Sequence, residues 1–542
     1  MQVFSTHKTK FLFLVLILVI FSTLLYKNSL NNGFALDDTI IVEQNPIITN
    51  LEYTRYMFIN KYWPHKDNAN YRPLMVLSLA LNYDIHELDP YGYHLVNMVL
   101  NALNAVLVFL LIYYLFGHLT LAFLAGLIFA GHPIHTEAVA NVVGRAELLV
   151  TFFMLLSLIM HFKKKYGYAF VFLMIGALCK EFAVVTPFLA MVISLKDKRS
   201  LKEEIKPYLS YFFGIFTIIG MRYLICGRLS SLPIWYYNPL RQATDWERIM
   251  TAFVVFKDAL WQMILPLQFS PDYSFNHIPV VRQLNAATLS GMTLMLALCL
   301  TGLWSLKKKR LYFVAIFFFL IPYMLTSNII IPIETIRAER WMYFPSIGFA
   351  LFFALLINNV LQSKKTLAAI LAILLLTVMI GFYSIQTISR NPAWKDTNTL
   401  NLSSLEAAPN NYIVMGGAGT ALVAMDNCAL AAPLLEESWK HINTNKATLA
   451  SLATCYEKAG NPQKSIALYK DYLTREPLDG EMHNNLAVML SSVGKHEQAL
   501  KHIRLAIMYF PNHIKYYKYN AASFYYDYFE QLKEKEKTIE EK

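Results

Sequence analysis

The chain has 542 residues, 56% of them hydrophobic and only 16% charged, with a mean hydropathy of +0.37. That balance excludes an ordinary soluble globular protein and points to many membrane spans. The net charge of +11, from 48 basic and 37 acidic residues, marks the cytoplasmic loops of a membrane protein rather than a nucleic-acid partner.

The first apolar run, 11–26, follows His7, Lys8 and Lys10, and no small-residue cleavage site comes after it. It therefore reads as an uncleaved anchor, with residue 27 onward on the far side of the membrane. Just beyond it, "GFALDDTIIV" (33–42) holds Asp37 and Asp38. A turn beside Asn45–Pro46 is the bland reading. A partly desolvated carboxylate at the interface also suits a base acting on a hydroxyl presented from the aqueous side.

Apolar segments follow at 94–116 and 119–131, and then "GHPIHTEAVANVVGRAELL". Pro133 suits a first helical turn, which brings His132, His135 and Glu137 together on the outer face. The spacing is not HExxH and no further ligand is evident, so no metal is expected and a substrate-facing polar helix is the reading. Arg145 and Glu147 either pair or line the same cleft. After the span 147–162, the hairpin 168–195 has halves of about 12 and 15 residues, short for a bilayer of ~30 Å. Its tip carries Lys180 and Glu181, an ion pair or a functional couple at membrane depth.

The span 207–225 is followed by 248–266, whose Lys257 and Asp258 predict an interfacial or re-entrant helix rather than a crossing. Spans at 286–305, 311–327, 341–361 and 365–387 complete the set. In "IETIRAERWMYFPSIG" (333–348), Arg337, Glu339 and Arg340 precede a span, and an arginine fork binds phosphate oxygens bidentately. Placing the basic clusters 163–165, 196–199, 307–310 and 364–365 in the cytoplasm gives about 11 crossings. Segments 27–93, 132–146, 226–285 and 328–340 then share the outer face with everything after 388.

That tail reads as a soluble helical repeat. "LATCYEKAGNPQKSIALYKDYLTREP" (452–477) aligns with "LAVMLSSVGKHEQALKHIRLAIMYFP" (486–511), with Leu452 and Leu486, Gly460 and Gly494, and Pro477 and Pro511 each 34 residues apart. This is the period of tetratricopeptide repeats. Pro409 falls in phase, predicting a degenerate unit from near 396, and 515–542 reads as a capping helix. None of the five cysteines forms a CxxC pair; Cys428 and Cys455, both in the tail, are available to pair.

Seven stretches, "FALDDTIIVEQNPII", "YRPL", "YHLVNMVLNALNAVLVF", "FAGHPIHTEAVANVVGRAELL", "CKEFAVVTP", "DYSFNHIP" and "AERWMYFPSIGF", with repeats after the last span, resemble the transmembrane and tetratricopeptide repeat-containing O-mannosyltransferases of the GT-C superfamily. The tail is shorter than in animal members, which suggests a compact bacterial relative. The resemblance implies an all-α fold, with a GT-C membrane bundle over 1–387 and a repeat α-solenoid over 388–542. It implies transfer of a sugar, mannose by analogy, from a polyprenyl-phosphate donor to Ser or Thr hydroxyls of exported proteins, with inversion. One of Asp37 and Asp38 would be the base, and Arg340, Arg337 and Lys180 would hold the donor phosphate. Asp272 and Tyr273 of "DYSFNHIP" join His132, His135, Glu137, Arg145, Glu181 and Glu339 as substrate-site candidates. The acceptor protein would be held partly by the repeats, and the location would be the inner membrane with the site and repeats on the periplasmic face. Two other readings stand beside this one: a lipid-A or cell-envelope glycan transferase of the same superfamily, and a non-enzymatic membrane scaffold.

Overall fold

The computed structural model describes residues 2–63, 69–229, 234–363, 365–510 and 514–540, so Lys364 of the last basic cluster lies outside the described residues. Among the described residues every regular element is helical. The chain divides into two compact units, 1–403 and 404–542.

In the first unit each apolar segment read from the sequence becomes one helix. They are Gln2–Tyr26, Pro90–Phe116, Leu119–Gly131, Arg145–Phe162, Tyr166–Cys179, Thr186–Lys196, Leu201–Cys226, Ala286–Lys308, Arg310–Thr326, Ser346–Leu361 and Thr366–Arg390. Among the described residues six helices are long and apolar enough to cross a membrane by length and composition. A seventh crossing forms if Leu119–Gly131 continues through a 52° bend into Pro133–Ala140. Pro133 explains the bend, since it cannot donate back to the preceding turn. Tyr166–Cys179 and Thr186–Lys196 rise only about 21 and 17 Å at ~1.5 Å per residue, short of a ~30 Å hydrocarbon core.

The stretch 248–266 forms Asp245–Ile264, opened by a capping box between Thr244 and Glu247. Met250, Val255, Phe256, Ala259 and Met263 are buried on one side, while Trp246 and Trp261 are exposed on the other. A helix with one packed face and exposed tryptophans suits the membrane interface.

A polar seam inside the bundle positions the functional end. Asn97, Asn101 and Asn104 of Pro90–Phe116 are fully buried. Asn97 Nδ2 donates to the carbonyls of Val139, Asn141 and Val142, and Asn104 Nδ2 to that of Leu148. Buried amides retain their cost unless bonded; the Nδ2 groups are bonded, though Asn104 Oδ1 is not, and they fix the 138–148 backbone against the long helix.

The first unit runs past 388 because residues 391–397 are tied to the end of its first helix and the segment after it. Asn391 donates to the Leu25 carbonyl, Gly33 N to the Lys395 carbonyl, and Leu36 N to Thr397 Oγ1.

In the second unit helices begin at Tyr412, Lys446, Gly480 and Ile514, and their partners at Cys428, Pro462 and His496. Each series advances by 34 residues (446 − 412 = 480 − 446 = 514 − 480 = 34). The N-caps keep the same phase: Asn411, Asn445 and Asp479 each accept a backbone N–H. So do the left-handed turns, with Gly460 and Gly494 at φ +74° and +76°, and Asp426 at φ 61° in the third equivalent place. An aspartate tolerates that conformation better than most side chains. The helix pairs thus start at 412 rather than near 396. Thr397–Ala407, which spans the boundary at 403/404, is a single helix in the phase of the second helices, and its phase explains Pro409. Cys428 and Cys455 are disulfide-bonded.

Candidate active site

A cavity of about 490 Å³ opens where the polar segments between the helices of the first unit converge. Residues 37, 62–63 and 70–72, with segments 141–147, 180–184 and 333–341, supply its polar wall, and the helix Leu201–Cys226 an apolar one. The segments are bound to one another: Asn70 donates to Glu334 at 3.1 Å, and Asn238 to Asn328 and to the Ile333 carbonyl.

The two aspartates part company here. Leu36 sits at φ 50°, an uncommon conformation for a leucine that turns the chain sharply. After it, Asp37 lines the cavity while Asp38 is buried at 1% exposure. Asp38 accepts backbone N–H bonds from Ala35 (3.1 Å), Val142 (3.3 Å) and Val143 (2.8 Å). Burial pushes its carboxyl up to about 7, against the lowering effect of those donors. Asp38 therefore staples the Asp37 loop to the 141–144 segment.

Three ion pairs frame the cavity. Arg72 grips Glu181 bidentately, Nε to Oε2 at 3.1 Å and Nη2 to Oε1 at 2.7 Å. Lys180 pairs with Glu147, and Arg340 with Glu137. Lys180 and Glu181 do not pair with each other. Lys180 is extended (φ −161°, ψ 141°), and in extended backbone successive side chains leave on opposite sides. Likewise Arg145 does not pair with Glu147. It is buried among Asn97, Asn82, the Ser78 carbonyl and the Tyr93 carbonyl, off the cavity.

Glu137 is fully buried and does not reach the cavity wall; its Oε2 accepts the Arg340 backbone N–H at 2.7 Å and its Oε1 binds Arg340 Nη1. His132 and His135 are core residues rather than substrate-facing ones. His132 bonds the Met263 carbonyl at 2.8 Å and accepts the Ile134 N–H, and His135 bonds Ser346 Oγ at 2.8 Å. Proline places them on the turn as expected, but the turn packs inward. Among the described residues no three His, Cys, Asp or Glu side chains converge as a metal site.

Arg337 and Arg340 form no fork. Arg337 bonds Gln262 and lies over the Tyr273 ring at 4.4 Å, away from the cavity. Glu339 accepts from Tyr273 OH at 2.5 Å and Ser270 N at 2.8 Å, and burial raises its carboxyl to about 7, with Arg390 opposing. Asp272 accepts from Ser274 N at 2.8 Å in a local turn. Arg337, Glu339, Asp272 and Tyr273 thus brace the loops beside the cavity.

No family model matches the chain. It is 27% identical over 419 residues to protein O-mannosyl-transferase F38B6.6 of Caenorhabditis elegans, covering 75% of this chain and 60% of the relative. It is 27% identical over 445 residues to protein O-mannosyl-transferase TMTC3 of Homo sapiens, covering 74% and 48%, and 25% identical over 480 residues to tmtc2 of Xenopus laevis, covering 71% and 57%. The chain is similar to the protein O-mannosyl-transferases. It spans about half the length of the curated relatives it matches.

Three charged cavity residues, Arg72, Arg222 and Glu334, were given no role by the sequence reading. Arg72 stands in "YRPL", directly before the helix Pro73–His86. Arg222 lies inside the apolar run of Leu201–Cys226, and an ionisable group within a span is itself a functional signal.

Proposed function

We propose that the chain is a membrane protein O-glycosyltransferase that moves mannose, or a similar hexose, from a polyprenyl-phosphate donor to Ser or Thr hydroxyls of exported proteins. The observation that carries this reading is that Asp37 shares the wall of one cavity with Arg340 and Lys180. Asp37 takes the proton of the acceptor hydroxyl as its oxygen bonds the anomeric carbon. The bond from that carbon to the phosphate oxygen breaks on the opposite face, inverting the centre, and the electron pair leaves with the lipid phosphate. Arg340, oriented by Glu137, and Lys180 stabilise the phosphate charge in a water-poor site, where such donors act most strongly. Asp38 holds the loop rather than reacting.

The printed names of the relatives support protein mannosylation, and the charge pattern, which assigns the converging polar segments to the face opposite the basic clusters, supports an extracytoplasmic site. The Cys428–Cys455 bond supports an oxidising compartment for the repeats, which would bind the acceptor chain.

The test incubates the purified full chain with radiolabelled polyprenyl-phosphate mannose and exported proteins. Label released from protein by alkaline β-elimination, lost in Asp37→Asn, is the expected result. Label confined to lipid would instead identify a glycolipid acceptor, and no transfer from any polyprenyl-phosphate hexose would end the reading.

A further inference from the structure

Two loops beside the cavity meet through aromatic side chains. The first, 234–238, carries Trp235, Tyr236 and Tyr237; the second, 270–275, carries Phe275. Ring centroids lie 5.6 Å apart for Trp235–Tyr236, 4.8 Å for Tyr236–Tyr237 and 5.3 Å for Trp235–Phe275. Phe275 N donates to the Tyr236 carbonyl at 3.3 Å, which joins the loops by backbone as well. Ile234 and Tyr237 are 45% and 38% exposed, and Trp235, Tyr236 and Phe275 are half-buried. The four rings form an open shelf rather than a core.

Both loops are fastened to the segment that carries Arg340. Ile336 N donates to the Tyr237 carbonyl at 3.3 Å. Asn238 Nδ2 donates at 2.7 Å to the carbonyl of Ile333, a residue of the cavity wall. Ser270 N and Tyr273 OH donate to Glu339, the neighbour of Arg340. The charge of Asp37 acts on the Tyr237 hydroxyl and on Arg340, so the shelf and the phosphate cation have Asp37 as a common neighbour. An inverting transfer brings the acceptor oxygen to the anomeric carbon on the face opposite the departing phosphate. The acceptor therefore needs a surface of its own next to the base, one that holds its hydroxyl in line.

We infer that the Trp235–Tyr236–Tyr237–Phe275 shelf docks the acceptor polypeptide, packing a proline that flanks the Ser or Thr presented to Asp37. The inference rests on the protein acceptor proposed above and names the residues that select its sequence. Ring faces and edges pack aliphatic groups, and a proline segment is already extended, so docking it on aromatic side chains costs little entropy. An extended segment also leaves the neighbouring hydroxyl free of local backbone bonds. Trp235, which touches both Tyr236 and Phe275, is the centre of the shelf and its specificity-determining residue.

Two short fluorescent peptides test this on the full chain in nanodiscs, one with prolines flanking a threonine and one with alanines in their place. The wild type should take the proline peptide with an acceptor KM about tenfold lower. Trp235→Ala should raise that KM about tenfold, as loss of a central aromatic contact does, and leave the alanine peptide and the donor KM within about twofold. Trp235→Phe, which keeps a ring, should recover most of the loss. Equal KM values for the two peptides on the wild type, or a parallel rise in donor KM, would overturn the assignment. Binding can be read without transfer: the proline peptide should bind Asp37→Asn by fluorescence anisotropy and lose affinity in Asp37→Asn/Trp235→Ala. Unchanged affinity would leave the rings to the bilayer surface, and displacement of the peptide by a mannose oligosaccharide would give them to a glycan; either overturns the assignment. A wild type that binds the proline peptide through Trp235 but transfers no sugar would sink the enzymatic reading and leave the shelf standing.

Discussion

Glu137 holds Arg340 twice, its Oε2 accepting the arginine's backbone N–H at 2.7 Å and its Oε1 binding Nη1, across 203 residues of sequence. Glu137 is fully buried while the Arg340 side chain is one-third exposed. The carboxylate therefore depends on the arginine, and the arginine remains available to the cavity. Arg340→Ala strands a buried charge, which costs about 3–5 kcal/mol, and should lower the melting temperature in detergent. The double variant Glu137→Gln/Arg340→Gln should regain most of the stability yet transfer about 10²–10³ times more slowly than wild type. Recovery of transfer along with stability would show that Arg340 only braces the fold.

Asp37→Asn and Asp38→Asn should fail for different reasons. The Asp37 amide should melt as the wild type does and bind donor, with transfer abolished, since an amide cannot accept the hydroxyl proton. The Asp38 amide presents N–H₂ to three backbone donors where one oxygen remains to accept, so it should lose about 1–3 kcal/mol of stability and only part of its turnover. Melting curves beside single-turnover rates separate the two, and matched melting losses for both would contradict the split.

The repeat unit should weaken in acid. His502 is packed against His483 with Nδ1 to Nδ1 at 2.9 Å, and burial, with His483, Lys470 and Lys501, lowers its protonation to about pH 4. A folded value below the unfolded ~6.5 means that the unfolded chain binds more protons in between. The contribution is full above pH 6.5 and lost as pH falls through about 4. Hydrogen exchange in helices Gly480–Ser492 and His496–Tyr509 should quicken over that window, and His502→Gln should flatten the dependence. An unchanged slope in the variant would remove His502 as its source.

The Cys428–Cys455 bond closes a separation of 27 residues, so a Cys428→Ser/Cys455→Ser chain should lose about 2–4 kcal/mol in the repeat unit. Its oxidation also reports topology. Thiol trapping in intact cells should find the pair oxidised, and reporter fusions at 240 and 400 should share a side opposite to 308. A cytoplasmic signal at 400 would overturn the outer placement of the repeats.

Local periodicity made much of this protein legible from its sequence. Each apolar run became a helix because its length and composition leave the backbone no other way to satisfy its polar groups in lipid. The 34-residue phase of 452–477 and 486–511 revealed the repeat because caps, turns and core positions recur together, and the structure adds the helix starts at 446 and 480. The unit expected near 396 began at 412 because Pro409 ends a lone second-type helix, and one proline cannot say how many helices precede it.

What tertiary structure alone decided was which charges meet. Asp37 and Asp38 are neighbours in sequence, yet one lines the cavity and the other is consumed by backbone donors more than 100 residues away. Arg340 reaches the cavity and Arg337 does not; the His132–His135 turn faces the core; Arg72 finds Glu181 across 109 residues. No local spacing encodes such pairs. A buried charge is tolerated only where the packed chain brings its partner, so its role is set by contacts that exist only after folding.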